Sequence, residues 1–72
     1  MERLAEIRRI IEEERTVRIH FHGLGVDLLW ENNAGRHWRP LHHHEADALI
    51  HPELNRWNMV RGFGGECCYW RQ

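Results

Sequence analysis

Apolar residues Leu4, Ile7, Ile10 and Ile11 recur at helical spacing between Glu2 and about Glu14. On the same stretch Glu6 with Arg9, and Arg8 with Glu12, stand three and four residues apart, where opposite charges meet on a helix surface. The pattern predicts an N-terminal amphipathic helix with a charged, solvated outer face, as expected of a helix that covers a sheet.

The period then switches from helical to two. Thr16 to His22 alternates strictly, sending Val17, Ile19 and Phe21 to one face and Arg18, His20 and His22 to the other. Gly23-Leu24-Gly25 supplies a turn, after which Val26, Leu28 and Trp30 alternate inward again, predicting a hairpin. Asn32-Asn33-Ala34-Gly35 is a second turn. Arg36 to Arg39 follows as a third short strand, which Pro40 ends or confines to a sheet edge.

Helix-forming residues return from His44 to Ile50, and Pro52 disfavours helix at residue 51. Pro52 to Asn55 either opens a new helical turn or leads directly into strand, so residues 52–60 are open to both readings. Segments from Arg56 to Phe63 and from Glu66 to Arg71 flank Gly64-Gly65, which predicts a C-terminal hairpin. The expected order is helix, three strands, short helix, two strands. That is a single α+β domain over residues 1–72, with an antiparallel sheet of about four to five strands, covered on one face and partly open on the other.

Composition adds to this picture in two ways. A chain of this length buries only about 60% of its unfolded surface, so the core must be small. Its cationic residues are ten arginines and seven histidines, with no lysine, balanced to a net charge of −1. An arginine-favouring codon usage explains missing lysine as well as function does. Still, planar guanidinium and titratable imidazole suit a recognition surface. The near-neutral balance argues against a general polyanion binder and against an acidic mimic of nucleic acid.

Cys67 and Cys68 are adjacent and cannot staple distant segments, so reduced thiols are expected, and with no apolar run of membrane-spanning length the chain reads as cytoplasmic. On a strand the two cysteines would point to opposite faces.

Metal binding is the first chemistry to weigh. His20 and His22 share a strand face, and a tetrahedral site would need further ligands from His42, His44 or Cys67, without any zinc-type spacing to join them. These five residues are the weaker candidates, and no cofactor is expected. An enzyme would need a base, an orienting carboxylate and a nucleophile in one motif, and neither a nucleophile elbow nor a phosphate loop is present. The expectation is a non-enzymatic protein.

The second chemistry is recognition. Tryptophan and arginine dominate interface hot spots, and Arg36-His37-Trp38-Arg39 follows a turn and precedes a proline. This segment, rimmed by His42, His43 and His44, is the expected contact patch, while Trp30 and one of Trp57 or Trp70 are expected in the core. The partner expected is another protein or a protein–nucleic acid complex, with direct nucleic-acid binding ranked below it and no membrane partner. In format the chain resembles small accessory proteins of phages or mobile elements, including anti-CRISPR-like inhibitors that obstruct a host complex. The alternative is a zinc-binding or histidine-switched domain that binds protein or single-stranded nucleic acid.

Overall fold

The computed structural model describes residues 2–72. Helix α1 spans Arg3–Glu13, and strands β1 (Arg15–His22), β2 (Gly25–Asn32) and β3 (Gly35–Leu41) form a meander. Helix α2 follows at His43–Ile50, one residue earlier than helix-forming content suggested, because His42 is already extended and serves as its N-cap. A 3₁₀ segment over His51–Arg56 then leads into β4 (Trp57–Arg61), and β5 (Cys67–Arg71) closes the chain. Residues 52–60 are therefore helical turn first and strand afterwards. The α+β architecture is the one that the alternation of periods predicts.

All strands pair antiparallel in the order β3-β2-β1-β5-β4, so β1 is central and the C-terminal hairpin docks against it through β5. Pro40 lies within β3, and its strand is an edge, where a residue lacking an N–H is tolerated. The C-terminal hairpin turns through Phe63–Gly65 rather than through two residues alone, and the Gly62 N–H closes it on the Glu66 carbonyl at 3.0 Å. Gly64 and Gly65 there have φ of +72° and +84°, the left-handed conformation that glycine adopts without a Cβ clash.

Both helices pack on one face of the sheet. Ile7, Ile10 and Ile11 of α1 meet Ala46, Leu49 and Ile50 of α2 over Val17, Ile19, Val26, Leu28, Leu41 and Trp57 of the strands. Ile7, Ile19 and Leu28 are completely buried, each contributing about 1.5–3 kcal/mol of apolar transfer energy. Phe21, Trp30 and Tyr69 line the margin of this core. Trp57 is buried with its Nε1 unpartnered among the described residues, the core's one orphaned polar side-chain atom there.

Arginines tie the two layers together. Arg3 forks onto Glu45 of α2 at 2.7 and 3.2 Å and also donates to the Pro40 carbonyl at 2.6 Å. Arg39 of β3 reaches Glu6 of α1 at 2.7 Å, and Arg71 of β5 reaches Glu12 of α1 at 2.7 Å. The outer face of α1, expected to be simply solvated, thus lends two carboxylates to clamps across the helix–sheet boundary.

Candidate recognition surface on the open face of the sheet

The uncovered face is built by strand alternation. With Ile19 and Leu28 inward, every second neighbour points away from the helices, and the register joins these residues into cross-strand rungs. One rung crosses all five strands: Trp38 pairs with Leu29, Leu29 with Arg18, Arg18 with Trp70, and Trp70 with Asn58. The next runs Pro40, Asp27, His20, Cys68, Val60. A third, shorter rung sets Arg36 beside Glu31 and Glu31 beside Arg15.

The first rung has the chemistry of an interface. Trp38 is 66% exposed, and the Arg18 guanidinium lies over the Trp70 indole, 4.8 Å from its centroid. Arg36 is almost wholly in solvent, and although its Nε lies 3.6 Å from a Glu31 oxygen, the terminal nitrogens of its fork make no hydrogen bond among the described residues and are open to a partner. Between these residues lies a shallow hollow of about 300 Å³ lined by Arg18, Leu29, Glu31, Arg36 and Trp70. Its floor is shaped by a bulge in β1, where the register slips between Arg15 and Arg18 and Thr16 takes φ +54°. A β-branched residue in that conformation stores strain of order 1–3 kcal/mol, here held by the surrounding sheet.

Of the residues expected at the contact patch, Arg36 and Trp38 lie on this face. His37 and Arg39 alternate to the other side. His37 stacks on Trp30 at 5.4 Å and bonds Asn32 Oδ1, while Arg39 is held by Glu6. His42, His43 and His44 surround the start of α2, with His42 and His44 stacked face to face at 5.4 Å and His43 against Phe21 at 6.0 Å. The expected patch is therefore divided by the pleat into an open-face pair and a helix-side group. Residue order along the chain conceals this division, and it also conceals Leu29, Arg18 and Trp70, which strand register alone places in one rung with Trp38, Leu29 beside it and the other two on the strands beyond.

The candidate metal ligands are also separated. His20 and His22 adjoin each other on the open face, ring centroids 5.3 Å apart, but each has a carboxylate of its own: Glu66 at 2.8 Å from His20 Nε2, and Asp27 at 2.9 Å from His22 Nε2. The Leu24 N–H donates to His22 Nδ1, so in the neutral ring the proton sits on Nε2, facing Asp27. Cys67 pairs with Phe21 and shares its helix-side orientation, whereas Cys68 shares the face of His20. Among the described residues no three His, Cys, Asp or Glu side chains converge as a metal-binding group. Both cysteines are free, and burial pushes the Cys68 thiol above its ordinary pKa, which disfavours the nucleophilic thiolate.

Elsewhere, the β1–β2 turn and the β4–β5 turn lie at the same end of the sheet, each tipped by a fully solvated apolar side chain, Leu24 and Phe63. No helix is long and apolar enough to cross a membrane among the described residues. No family model, curated protein or solved structure matches the chain.

Proposed function

We propose that this chain is a non-enzymatic protein-binding module whose contact surface is the open sheet face. The observation that carries the reading is the rung Trp38–Leu29–Arg18–Trp70: two indoles, one aliphatic side chain and one stacked guanidinium aligned across adjacent strands, with Arg36 beside them. Large rigid aromatics supply contact area at little entropy cost, and arginine adds bidentate bonds to carboxylates. A partner of matching chemistry is a protein surface that presents acidic side chains among apolar ones. The mode of action in this reading is obstruction, the small domain covering a functional surface of its partner, as in the anti-CRISPR-like format.

Single-stranded nucleic acid could stack on the same indoles, but a net charge of −1 provides little attraction for a phosphate backbone. A selection from a random-peptide display library separates the two. Enriched sequences should combine Asp or Glu with apolar residues, and their binding should be lost in a Trp38→Ala protein that keeps the wild-type melting temperature. If no peptide is enriched while a short oligothymidine strand binds with a steep salt dependence, the protein-binding reading fails.

A further inference from the structure

The two edges of the sheet are not equivalent. In an antiparallel ladder a residue directs its N–H and C=O either both toward one neighbour or both away from it, alternating along the strand. The Gln72 N–H bonds the Arg56 carbonyl and the Gly62 N–H bonds the Glu66 carbonyl, each at 3.0 Å. With the β4–β5 register this assigns the backbone groups of Asn58 and Val60 to β5, and turns those of Trp57, Met59 and Arg61 outward. The Trp57 N–H is taken by the Leu54 carbonyl of the preceding turn. What remains at the β4 edge is the Trp57 carbonyl and both backbone groups of Met59 and Arg61.

The same alternation at the opposite edge turns Arg36, Trp38 and Pro40 outward from β3. There Pro40 has no N–H to offer, and its carbonyl is occupied by Arg3 at 2.6 Å. Proline and a covered carbonyl are the devices that blunt an edge against pairing. Among the described residues β4 has neither, and Met59 and Val60, 45% and 54% exposed, flank its free backbone.

We propose that the chain self-associates by antiparallel pairing of β4 with β4 of a second copy, in the register that sets Met59 opposite its twin. The pattern of free groups is self-complementary in this register and no partner of different sequence is needed to match it. Each Met59 exchanges both backbone bonds with the other, and each Arg61 N–H meets the Trp57 carbonyl of the twin, which is the acceptor left free by the Leu54 bond. Every outward donor of the edge is then satisfied, and the contact closes with two-fold symmetry instead of extending into a fibre. Side chains agree with this arrangement. Arg61 has no carboxylate partner within its own chain among the described residues, and the pairing carries it toward the twin's Trp57, whose surroundings include Glu12 and Glu53. Because the axis stands perpendicular to the sheet, the two open faces become one continuous surface carrying the proposed binding rung twice, an arrangement that raises avidity for a repeated partner. A contact this small belongs to the weak, concentration-dependent class.

The test is a dilution series of the intact protein by sedimentation velocity and amide NMR, up to about 1 mM, where an interaction worth roughly 4 kcal/mol is half-formed. The expected result is a shift from the 8.8 kDa monomer toward twice that mass, with the concentration-dependent amide shifts centred on Met59 and Arg61. Synthetic protein with a methyl group on the Met59 backbone nitrogen should keep its melting temperature, since that nitrogen faces away from β5, and should stay monomeric across the series. Met59→Pro should behave in the same way. A wild-type protein that stays monomeric throughout, or a dimer that survives N-methylation of Met59, or shifts centred on Arg36 and Trp38, would overturn the proposal.

Discussion

Arg18 and Trp70 pair across β1 and β5 with the guanidinium 4.8 Å above the indole, and this stack joins the two halves of the open-face rung. It holds a cation and an aromatic in one rigid unit before any partner arrives, so little side-chain freedom is left to lose on binding. Replacing Trp70, half-buried beneath Arg18, by Ala should cost stability as well as affinity, whereas replacing the exposed Trp38 by Ala should cost at least about 2 kcal/mol of affinity for the peptides selected above with little change in melting temperature. Arg39→Ala should do the opposite, leaving binding intact and lowering stability, because Arg39 is clamped to Glu6 on the helix side. Calorimetric titration beside thermal melts of the three proteins reads both effects. A loss of binding in Arg39→Ala alone would move the interface to the helix side of β3.

Strand alternation on β1 sets a second expectation. Ile19 is completely buried and Phe21 packs at the core margin, while His20 faces outward next to Glu66. Ile19→Ala should cost about 2–5 kcal/mol and His20→Ala less than about 1 kcal/mol. Urea unfolding of the two variants checks this, and comparable losses from both would mean that the register of β1 is different.

The helix and the meander are legible because each rests on a local period, 3.6 at Ile7, Ile10 and Ile11 or two at Val17, Ile19 and Phe21, and the C-terminal hairpin because Gly64-Gly65 marks a turn between β-compatible segments. The contact patch was only half legible. Arg36 to Arg39 is contiguous in sequence, yet a strand of that length must divide its side chains between two faces, and the exposed half finds its companions across the sheet. Nothing in the spacing of Trp38 and Trp70 indicates that Leu29 and Arg18 lie between them. That adjacency depends on the docking of β5 against β1, a long-range pairing set by the total burial of the sheet's inner face. The 3₁₀ turn before β4 was ambiguous for a different reason: Pro52 suits the first helical turn, and the β-compatible residues after Arg56 favour strand, so both signals were present in sequence and both act.

Glu45 gives the fold a defined acid limit. The forked bond from Arg3 holds its carboxyl down to about 2, against an ordinary value of 4.5, and burial, which acts the other way, is outweighed. A carboxylate with a depressed folded pKa contributes stability that is complete above the unfolded value and disappears as pH falls through the folded one. Urea midpoints should therefore decline between pH 4.5 and about 2, and Glu45→Gln should flatten that part of the profile while lowering the plateau near neutrality. An unchanged profile in the Gln variant would show that the acid sensitivity lies in other carboxylates.

Arg71 is the least exposed cation of the helix–sheet clamps, with its side chain only 7% exposed, and it has three tasks at once. Its guanidinium bonds Glu12 at 2.7 Å and Glu53 at 3.3 Å, and it lies over the ring of Trp57 at 5.1 Å. The two carboxylates are themselves partly solvated, so their Coulombic contribution is screened, whereas the buried stem and the face-on contact with Trp57 are not. Packing should therefore outweigh charge. Arg71→Ala should cost about 1–3 kcal/mol, and Arg71→Met, which keeps the apolar stem, should recover more than half of that loss. Added salt offers an independent reading, since it should weaken the ion pairs and leave the stem contact unaffected; the wild-type midpoint should then move little between low and high salt. A Met variant as unstable as the Ala variant, together with a wild-type protein that loses stability steeply in salt, would assign the clamp to charge instead.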